Sequence, residues 1–221
     1  MPKRKRKHPV LSVFVMTVTI IVILGIIIHS SLPESFTRDQ YYSNEQIPAE
    51  FIPIYQEAGD EYDISWKLLA AVHRVESVFS TMSSLESPAG AVGHMQFMPC
   101  TFIGWSYPGC AEKGSLDIPE NELHDTELIK NHGGYGVDGN GDGRADPYNV
   151  EDAIHSAANF LASNGAAEGD KRHAVYQYNH ADWYVEEVLE YERTYYEKYE
   201  SVQSEQTTGI NKIIWNMIFA R

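Results

Sequence analysis

Apolar residues recur at helical spacing along most of the chain, and no useful stretch alternates as a strand does. The clearest case is residues 65–79, where one apolar stripe recurs every three or four positions: Leu68, Leu69, Val72, Val75 and Phe79. Helices are also predicted from about residue 48 and over 95–105, 152–162, 171–178 and 183–199, with Asp152 as a helix cap. Ser-, Pro-, Gly- and Asp-rich loops separate them at 83–93 and 133–149. The pattern predicts an all-α fold.

The N-terminal apolar run predicts a membrane anchor. Residues 10–28 contain no charged residue and can cross a hydrocarbon core of roughly 30 Å at about 1.5 Å per residue. Basic residues occupy positions 3–7, so the positive-inside rule places residues 1–9 in the cytoplasm. The alternative is a cleaved signal peptide, but the run is long and no small-x-small cleavage site follows it. We therefore expect a single-pass protein of the cell membrane whose remaining domains are extracytoplasmic.

After the anchor, the chain divides into a linker, a globular domain and a tail. Residues 29–46 are polar and without period, so they predict a linker. Residues 47–200 hold the predicted helices and have the size of an ordinary domain. Residues 201–221 form a C-terminal amphipathic tail with apolar side chains at helical spacing. The tail is a candidate contact for the domain, for the membrane surface or for another protein of the envelope.

Charge and cysteine content agree with export. The formal net charge is −14, and five of the 17 basic residues lie at positions 3–7, so the exported part is strongly acidic. Nucleic-acid binding needs clustered basic residues, and the acidic body argues against it. The two cysteines, Cys100 and Cys110, flank a short segment in a compartment that permits disulfides. We expect them to be bridged.

Glu76 is the first candidate for chemistry. It follows Val72 by four residues and therefore lies on the apolar stripe of the 65–79 helix. Burial there favours a protonated carboxyl, which suits a general acid in glycosidic bond cleavage. The alternatives are a structural glutamate at the edge of the stripe, or one paired with His73. A metal site built on His73 and Glu76 is disfavoured because no third ligand is evident.

Three blocks of sequence carry a family resemblance. Glu76-Ser77 ends a helix, residues 87–101 read SPAGAVGHMQFMPCT, and Tyr178-Asn179 follows much later. Their order resembles lytic transglycosylases with a goose-lysozyme-like domain, over about residues 47–199. The resemblance implies a lysozyme-like helical fold and peptidoglycan glycan strands as substrate. It implies Glu76 as the catalytic residue, and these substrate-binding residues: Ser77, Ser87, Met95, Gln96, Phe97, Tyr178 and Asn179.

Two departures lie beside these positions. His94 stands where an apolar residue is frequent in the resembled families, and Gln177 stands where Ala is usual. Both affect the expected preference among sugar subsites more than the chemistry.

The resemblance also implies a mechanism with one carboxyl group. Glu76 would protonate the oxygen linking N-acetylmuramic acid to N-acetylglucosamine. As a carboxylate it would then take the proton of the muramoyl C6 hydroxyl, giving a 1,6-anhydro end. Hydrolysis, as in a muramidase, is the competing outcome, because other acidic residues could supply a second carboxylate. A non-catalytic peptidoglycan-binding scaffold is the alternative of another class.

A loop rich in Gly and Asp predicts structural calcium. Asp138, Asn140 and Asp142 stand at positions 1, 3 and 5 of an EF-hand-like run, and Arg144 would offer its carbonyl. Position 12 lacks the usual Glu, but Asp152 lies three residues later. This spacing resembles the stretched loop of the membrane-bound lytic murein transglycosylase B branch. The alternative is a plain turn, with Asp152 capping the next helix. No cofactor is expected for catalysis.

Overall fold

The structure is a computed structural model that describes residues 42–110 and 118–203. In these ranges the helices, in chain order, are α1 Ile52–Glu61, α2 Trp66–Ser77, α3 Pro99–Ile103, α4 Glu120–Leu123, α5 Thr126–His132, α6 Val150–Leu161, α7 Lys171–Tyr178 and α8 Asp182–Glu197. A 3₁₀ turn covers Pro108–Cys110, and a π turn covers Ala162–Ala166. Two short strands, β1 Gln46–Pro48 and β2 Glu200–Val202, complete the set.

Helix α2 is the centre of the domain. Its apolar stripe is buried, with Leu68, Leu69 and Val72 fully inaccessible, and α1, α6 and α8 pack around it. A helix covered on several sides is expected to carry apolar side chains beyond one stripe, and Ala70 and Ala71 are also fully buried. The predicted helix is confirmed, but it ends two residues early. The next three residues adopt left-handed backbone, with φ of 51° at Val78, 56° at Phe79 and 66° at Ser80.

The two strands pair in parallel and were not predicted. Gln46 is opposite Glu200, so the first and last elements of the described domain lie side by side. Three residues are too few for a period of two to be visible in a sequence. The helix-rich architecture fits the predicted all-α, lysozyme-like domain, with this small sheet added. β1 and β2 also extend slightly beyond the predicted domain range of 47–200.

The predicted helix over 95–105 is confirmed only in part. Only α3 forms there, and the chain before it makes a tight turn in which Val92 and Phe97 exchange both backbone hydrogen bonds. Gln96, in the turn, is left-handed with φ of 51°. Pro99 begins α3, because proline lacks an N–H and suits a first helical position. The predicted helix over 171–178 matches α7, the 183–199 helix matches α8 closely, and α4 and α5 were not predicted.

The start of α6 corrects another prediction. Asn149 caps this helix, its Oδ1 accepting hydrogen bonds from the N–H groups of Glu151 at 2.9 Å and Asp152 at 3.3 Å. Asp152 is fully buried and turns back to the preceding loop instead. The predicted bridge between Cys100 and Cys110 is present.

Within the described ranges, no helix combines the length and apolarity needed to cross a membrane. The predicted basic segment 1–9 and span 10–28 lie outside those ranges. So do residues 29–41 of the predicted linker and the tail beyond residue 203.

Candidate active site

Glu76 lies in the last turn of α2 and meets a tyrosine from α8. Its side chain is half-buried, and Tyr184 donates a hydrogen bond from its hydroxyl to Glu76 Oε1 at 2.6 Å. Tyr184 is 1% exposed and belongs to the first turns of α8, which packs along α2. A carboxyl group that is partly shielded and held by a hydroxyl donor has a defined orientation, as an acid/base residue requires.

A second tyrosine stands beside the first. The rings of Tyr178 and Tyr184 are nearly parallel, 5° apart in plane with centroids 6.5 Å apart. The Tyr178 hydroxyl donates to the carbonyl oxygen of Met95 at 2.8 Å. Burial, and secondarily the nearby charge of Glu76, raises the pKa of both tyrosines well above its usual value. Both therefore remain hydroxyl donors.

The alternative partner of Glu76 on its own helix is contradicted. His73 is fully buried, and its Nδ1 bonds the Tyr55 hydroxyl at 2.6 Å while its Nε2 bonds Ser80 Oγ at 2.8 Å. Both ring nitrogens are thus used, which leaves none for Glu76 or for a metal ion. Arg74 donates to the carbonyl oxygens of residues 42 and 43 at 2.9 and 3.0 Å.

Gln96 and Phe97 border a small cavity next to Tyr178. The cavity has a volume of about 70 Å³ and is lined by Gln96, Phe97, Met98, Thr101, Phe160, Gln177 and Tyr178. Gln96 also closes its own turn, because its Nε2 donates to the carbonyl oxygens of Leu85 at 3.0 Å and Gly93 at 2.8 Å. The structure thus brings the second and third sequence blocks together around one depression.

Other predicted substrate-binding side chains support the backbone. The fully buried Ser77 donates to the carbonyl oxygen of His94 at 2.6 Å, and the side chain of Met95 is fully buried. Ser87 Oγ accepts from the N–H of Ala91 at 2.9 Å and closes a turn. Asn179 follows α7 as its C-terminal cap residue. Burial therefore gives the side chains of Ser77 and Met95 a supporting position.

The predicted calcium loop folds around two carboxylates. Asp138 accepts from the N–H groups of residues 141, 142 and 143, and Asp152 accepts from those of 139, 140 and 146. Asp142 and Asn140 accept from backbone N–H groups within the loop. The guanidinium of Arg144 points away, to His124 Nδ1 at 2.7 Å. Within the described residues, no three His, Cys, Asp or Glu side chains converge as a metal site.

Tyr184 is the residue that sequence reasoning missed. Tyr184, Val188 and Tyr195 do form the buried face of α8, so spacing alone indicates an inward position for Tyr184. No local signal indicates that its hydroxyl reaches Glu76, 108 residues away in sequence.

These features define a helical, lysozyme-like domain in which Glu76 is a half-buried carboxyl oriented by a tyrosine hydroxyl. Residues 53–124 match a family model described as "Transglycosylase SLT domain", and residues 130–175 match a second model of the same description. Together the two stretches make up just over half of the chain. The described domain is therefore identified as a transglycosylase SLT domain.

A curated relative is the L-Ala–D-Glu endopeptidase of Bacillus subtilis (strain 168). The two proteins are 29% identical over 150 residues, which is 67% of this chain. The chain spans only 42% of the length of that relative.

Proposed function

We propose that the protein is a membrane-anchored peptidoglycan lytic transglycosylase in which Glu76 is the single general acid/base. The observation that carries the proposal is the placement of Glu76, half-buried at the end of α2 and oriented by the Tyr184 hydroxyl at 2.6 Å. The substrate would be the β-1,4 bond between N-acetylmuramic acid and N-acetylglucosamine. Its sugars would lie along the turn of Gln96 and Phe97 beside Tyr178.

Glu76 would act twice in the reaction. The protonated carboxyl donates its proton to the glycosidic oxygen as the bond to the muramoyl anomeric carbon breaks. The resulting carboxylate accepts the proton of the muramoyl C6 hydroxyl as that oxygen attacks the same carbon. A 1,6-anhydro ring forms without water, and the carboxyl is protonated again. The hydroxyl of Tyr184 would hold the carboxyl in place and stabilise its charged form between the two steps.

Hydrolysis is the second candidate, and one observation favours it. Glu187 lies one turn after Tyr184 on α8, and its charge contributes to the raised pKa of Tyr184. It is a half-buried carboxylate on the helix that faces Glu76 and could activate a water molecule. The two mechanisms differ in whether Glu187 is needed. They also differ in the product, which is a hydrated reducing end after hydrolysis and a 1,6-anhydro end after transglycosylation.

The test is digestion of purified peptidoglycan by the full-length protein, followed by mass spectrometry of the released muropeptides. We expect anhydro-muramoyl ends from the wild type and from Glu187→Gln, and no release by Glu76→Gln. Hydrated reducing ends that disappear in Glu187→Gln would establish hydrolysis instead. Equal release by wild type and Glu76→Gln would refute the assignment of Glu76, and no release by the wild type would favour the non-catalytic scaffold.

The endopeptidase activity named for the Bacillus relative is not part of this proposal. The chain covers less than half of that protein.

Structural calcium is proposed for the loop over 138–152. The donors would be all oxygen, which suits calcium: Asp138, Asn140, Asp142, the carbonyl of Arg144 and Asp152. Because these carboxylates do not converge in the structure, binding would require Asp138 and Asp152 to exchange backbone N–H partners for the cation. Burial raises the pKa of Asp152, with the charge of Asp138 acting in the same direction against hydrogen bonds that lower it. A cation would offset that unfavourable charge density. A calorimetric titration of metal-free protein with calcium is expected to show binding, and bound calcium is expected to raise the unfolding temperature. The absence of both effects would refute the proposal.

The location is also proposed: a single-pass cell-membrane protein with the SLT domain outside the cytoplasm. The sequence pattern of residues 1–28 supports it. The envelope-protein contact through residues 201–221 remains a proposal of the same kind. Protease treatment of intact spheroplasts should remove the domain and spare the N-terminal segment. Complete protection of the domain would place it inside the cell.

A further inference from the structure

Five polar groups behind the catalytic end of α2 form one continuous row of hydrogen bonds. The Tyr55 hydroxyl bonds His73 Nδ1 at 2.6 Å, and His73 Nε2 bonds Ser80 Oγ at 2.8 Å. Ser80 Oγ also bonds His94 Nδ1 at 2.6 Å, and His94 Nε2 bonds the carbonyl oxygen of Tyr148 at 2.9 Å. The row therefore joins the core to the backbone just before α6.

Hydrogen-bond chemistry gives this row a single direction when both histidines are neutral. A carbonyl oxygen can only accept, so His94 Nε2 must carry a proton and His94 Nδ1 must be an acceptor. The Ser80 hydroxyl then donates to His94, and its oxygen accepts from His73 Nε2–H. His73 Nδ1 is left as the acceptor for the Tyr55 hydroxyl. Both imidazoles are thus assigned to the Nε2–H tautomer.

The row holds a stretch of strained backbone next to Glu76. Val78, Phe79 and Ser80 all have positive φ, a backbone conformation that is unfavourable for residues other than glycine. Ser80 also donates its N–H to Ser77 Oγ at 3.1 Å, and Ser77 in turn donates to the His94 carbonyl. These bonds oppose the tendency of the three residues to relax.

His94 connects this stretch to the 95–97 turn and to Pro147. The backbone N–H of His94 donates to the carbonyl oxygen of Pro147 at 3.1 Å, and His94 directly precedes Met95 and Gln96. An apolar residue at position 94 could bury surface but could make neither imidazole bond. His94, one of the two departures from the resembled pattern, is therefore the member of the row between Ser80 and the Tyr148 carbonyl.

We propose that Ser80 and His94 are positioning residues that hold the Glu76 end of α2 in register with the 95–97 turn. Neither side chain touches the reacting atoms. The kinetic part of this inference rests on the proposed transglycosylase function, whereas the direction of the row does not.

The first test is nitrogen-15 NMR of the full-length protein with labelled histidine at neutral pH. We expect His73 and His94 both in the Nε2–H form. In Ser80→Ala the ring shifts of both should change, whereas His132, which bonds the serine hydroxyl of residue 106, should keep its shifts. An Nδ1–H tautomer at either position, or unchanged shifts in Ser80→Ala, would overturn the proposed row whether or not the protein cleaves glycan.

The second test is steady-state cleavage of a soluble glycan oligomer. His94→Leu should lower kcat about 10- to 100-fold, because misplacement by about 1 Å can cost 100-fold, while KM changes little. His94→Asn, which keeps an acceptor where Nδ1 lies, should recover much of kcat, and His132→Leu should equal the wild type. Because Ser80→Ala breaks the same row, the double variant Ser80→Ala/His94→Leu should have a kcat no lower than that of the slower single variant.

Three kinetic results would overturn the positioning role. They are wild-type kcat in His94→Leu, no recovery in His94→Asn, or losses in Ser80→Ala and His94→Leu that multiply. If the wild type itself cleaves nothing, the proposed function fails, and the NMR experiment still decides the hydrogen-bond row.

Discussion

His73 makes stability sensitive to mild acid. The imidazole is fully buried, and burial, together with the nearby His94, lowers the pKa of His73 from 6.5 to about 3. In the unfolded chain the pKa returns to its ordinary value. Between these two values the unfolded chain binds a proton that the folded protein does not bind. The free energy of unfolding therefore falls as pH drops below about 6.5 and stops falling near pH 3.

The size of the effect follows from the two pKa values. Since one pKa unit corresponds to about 1.4 kcal/mol, the whole shift is worth about 5 kcal/mol. Between pH 7 and pH 5 the loss is about 2 kcal/mol. For a domain of this size that corresponds to a fall in Tm of about 4–8 °C. His94, whose pKa is also lowered by burial, adds to the loss.

Thermal unfolding followed by near-ultraviolet circular dichroism measures this directly. We expect Tm to fall between pH 7 and pH 5 in the wild type and in the control His132→Asn. His73→Asn should be less stable at pH 7 but should lose less Tm over the same interval, because the buried titrating group is gone. An equal fall in His73→Asn and wild type would refute the assignment of the pH dependence to His73.

Three further predictions concern single contacts. Tyr184→Phe should lower kcat about 10- to 100-fold with the fold kept, because a hydrogen bond to a charged group is worth about 1.5–3 kcal/mol; unchanged kcat would exclude a role for the hydroxyl. Gly93→Ala should destabilise the fold by several kcal/mol, because an added Cβ would lie 1.9 Å from the Pro147 carbonyl oxygen. The control Gly133→Ala, where φ is positive but the space is open, should cost about 1 kcal/mol. Equal losses of unfolding free energy in urea denaturation would contradict the proposed clash. Replacing Cys100 and Cys110 by Ser should lower the free energy of unfolding by about 3 kcal/mol through loss of the bridge, and unchanged unfolding would contradict this.

Asp152 illustrates a choice that local sequence leaves open. An Asp in the first turn of a helix can cap it or can reach back to the preceding loop, and both patterns look alike in sequence. In the structure Asn149 takes the cap, and Asp152 is buried beneath the loop over residues 139–146. Only the packing of that loop against α6 decides between the two.

The 92–99 turn shows the same limit for secondary structure. The apolar spacing over 95–105 is helical, yet Gln96 adopts a left-handed conformation and its amide closes a turn over the carbonyl oxygens of residues 85 and 93. Long-range packing there outweighs local propensity. The Pro99 start of α3 is the one part of this segment that its sequence does signal.

The sequence by itself determined the helical class, the central α2 helix, the cysteine pair and the three blocks that indicate the SLT family. These depend on periodicity, residue type and order along the chain, all of which are local properties. The tertiary structure alone decided that Tyr184 orients Glu76, that His73 turns away from it, and that His94 completes the row through Ser80. Such contacts join residues far apart in sequence, and their hydrogen-bond geometry depends on how helices pack.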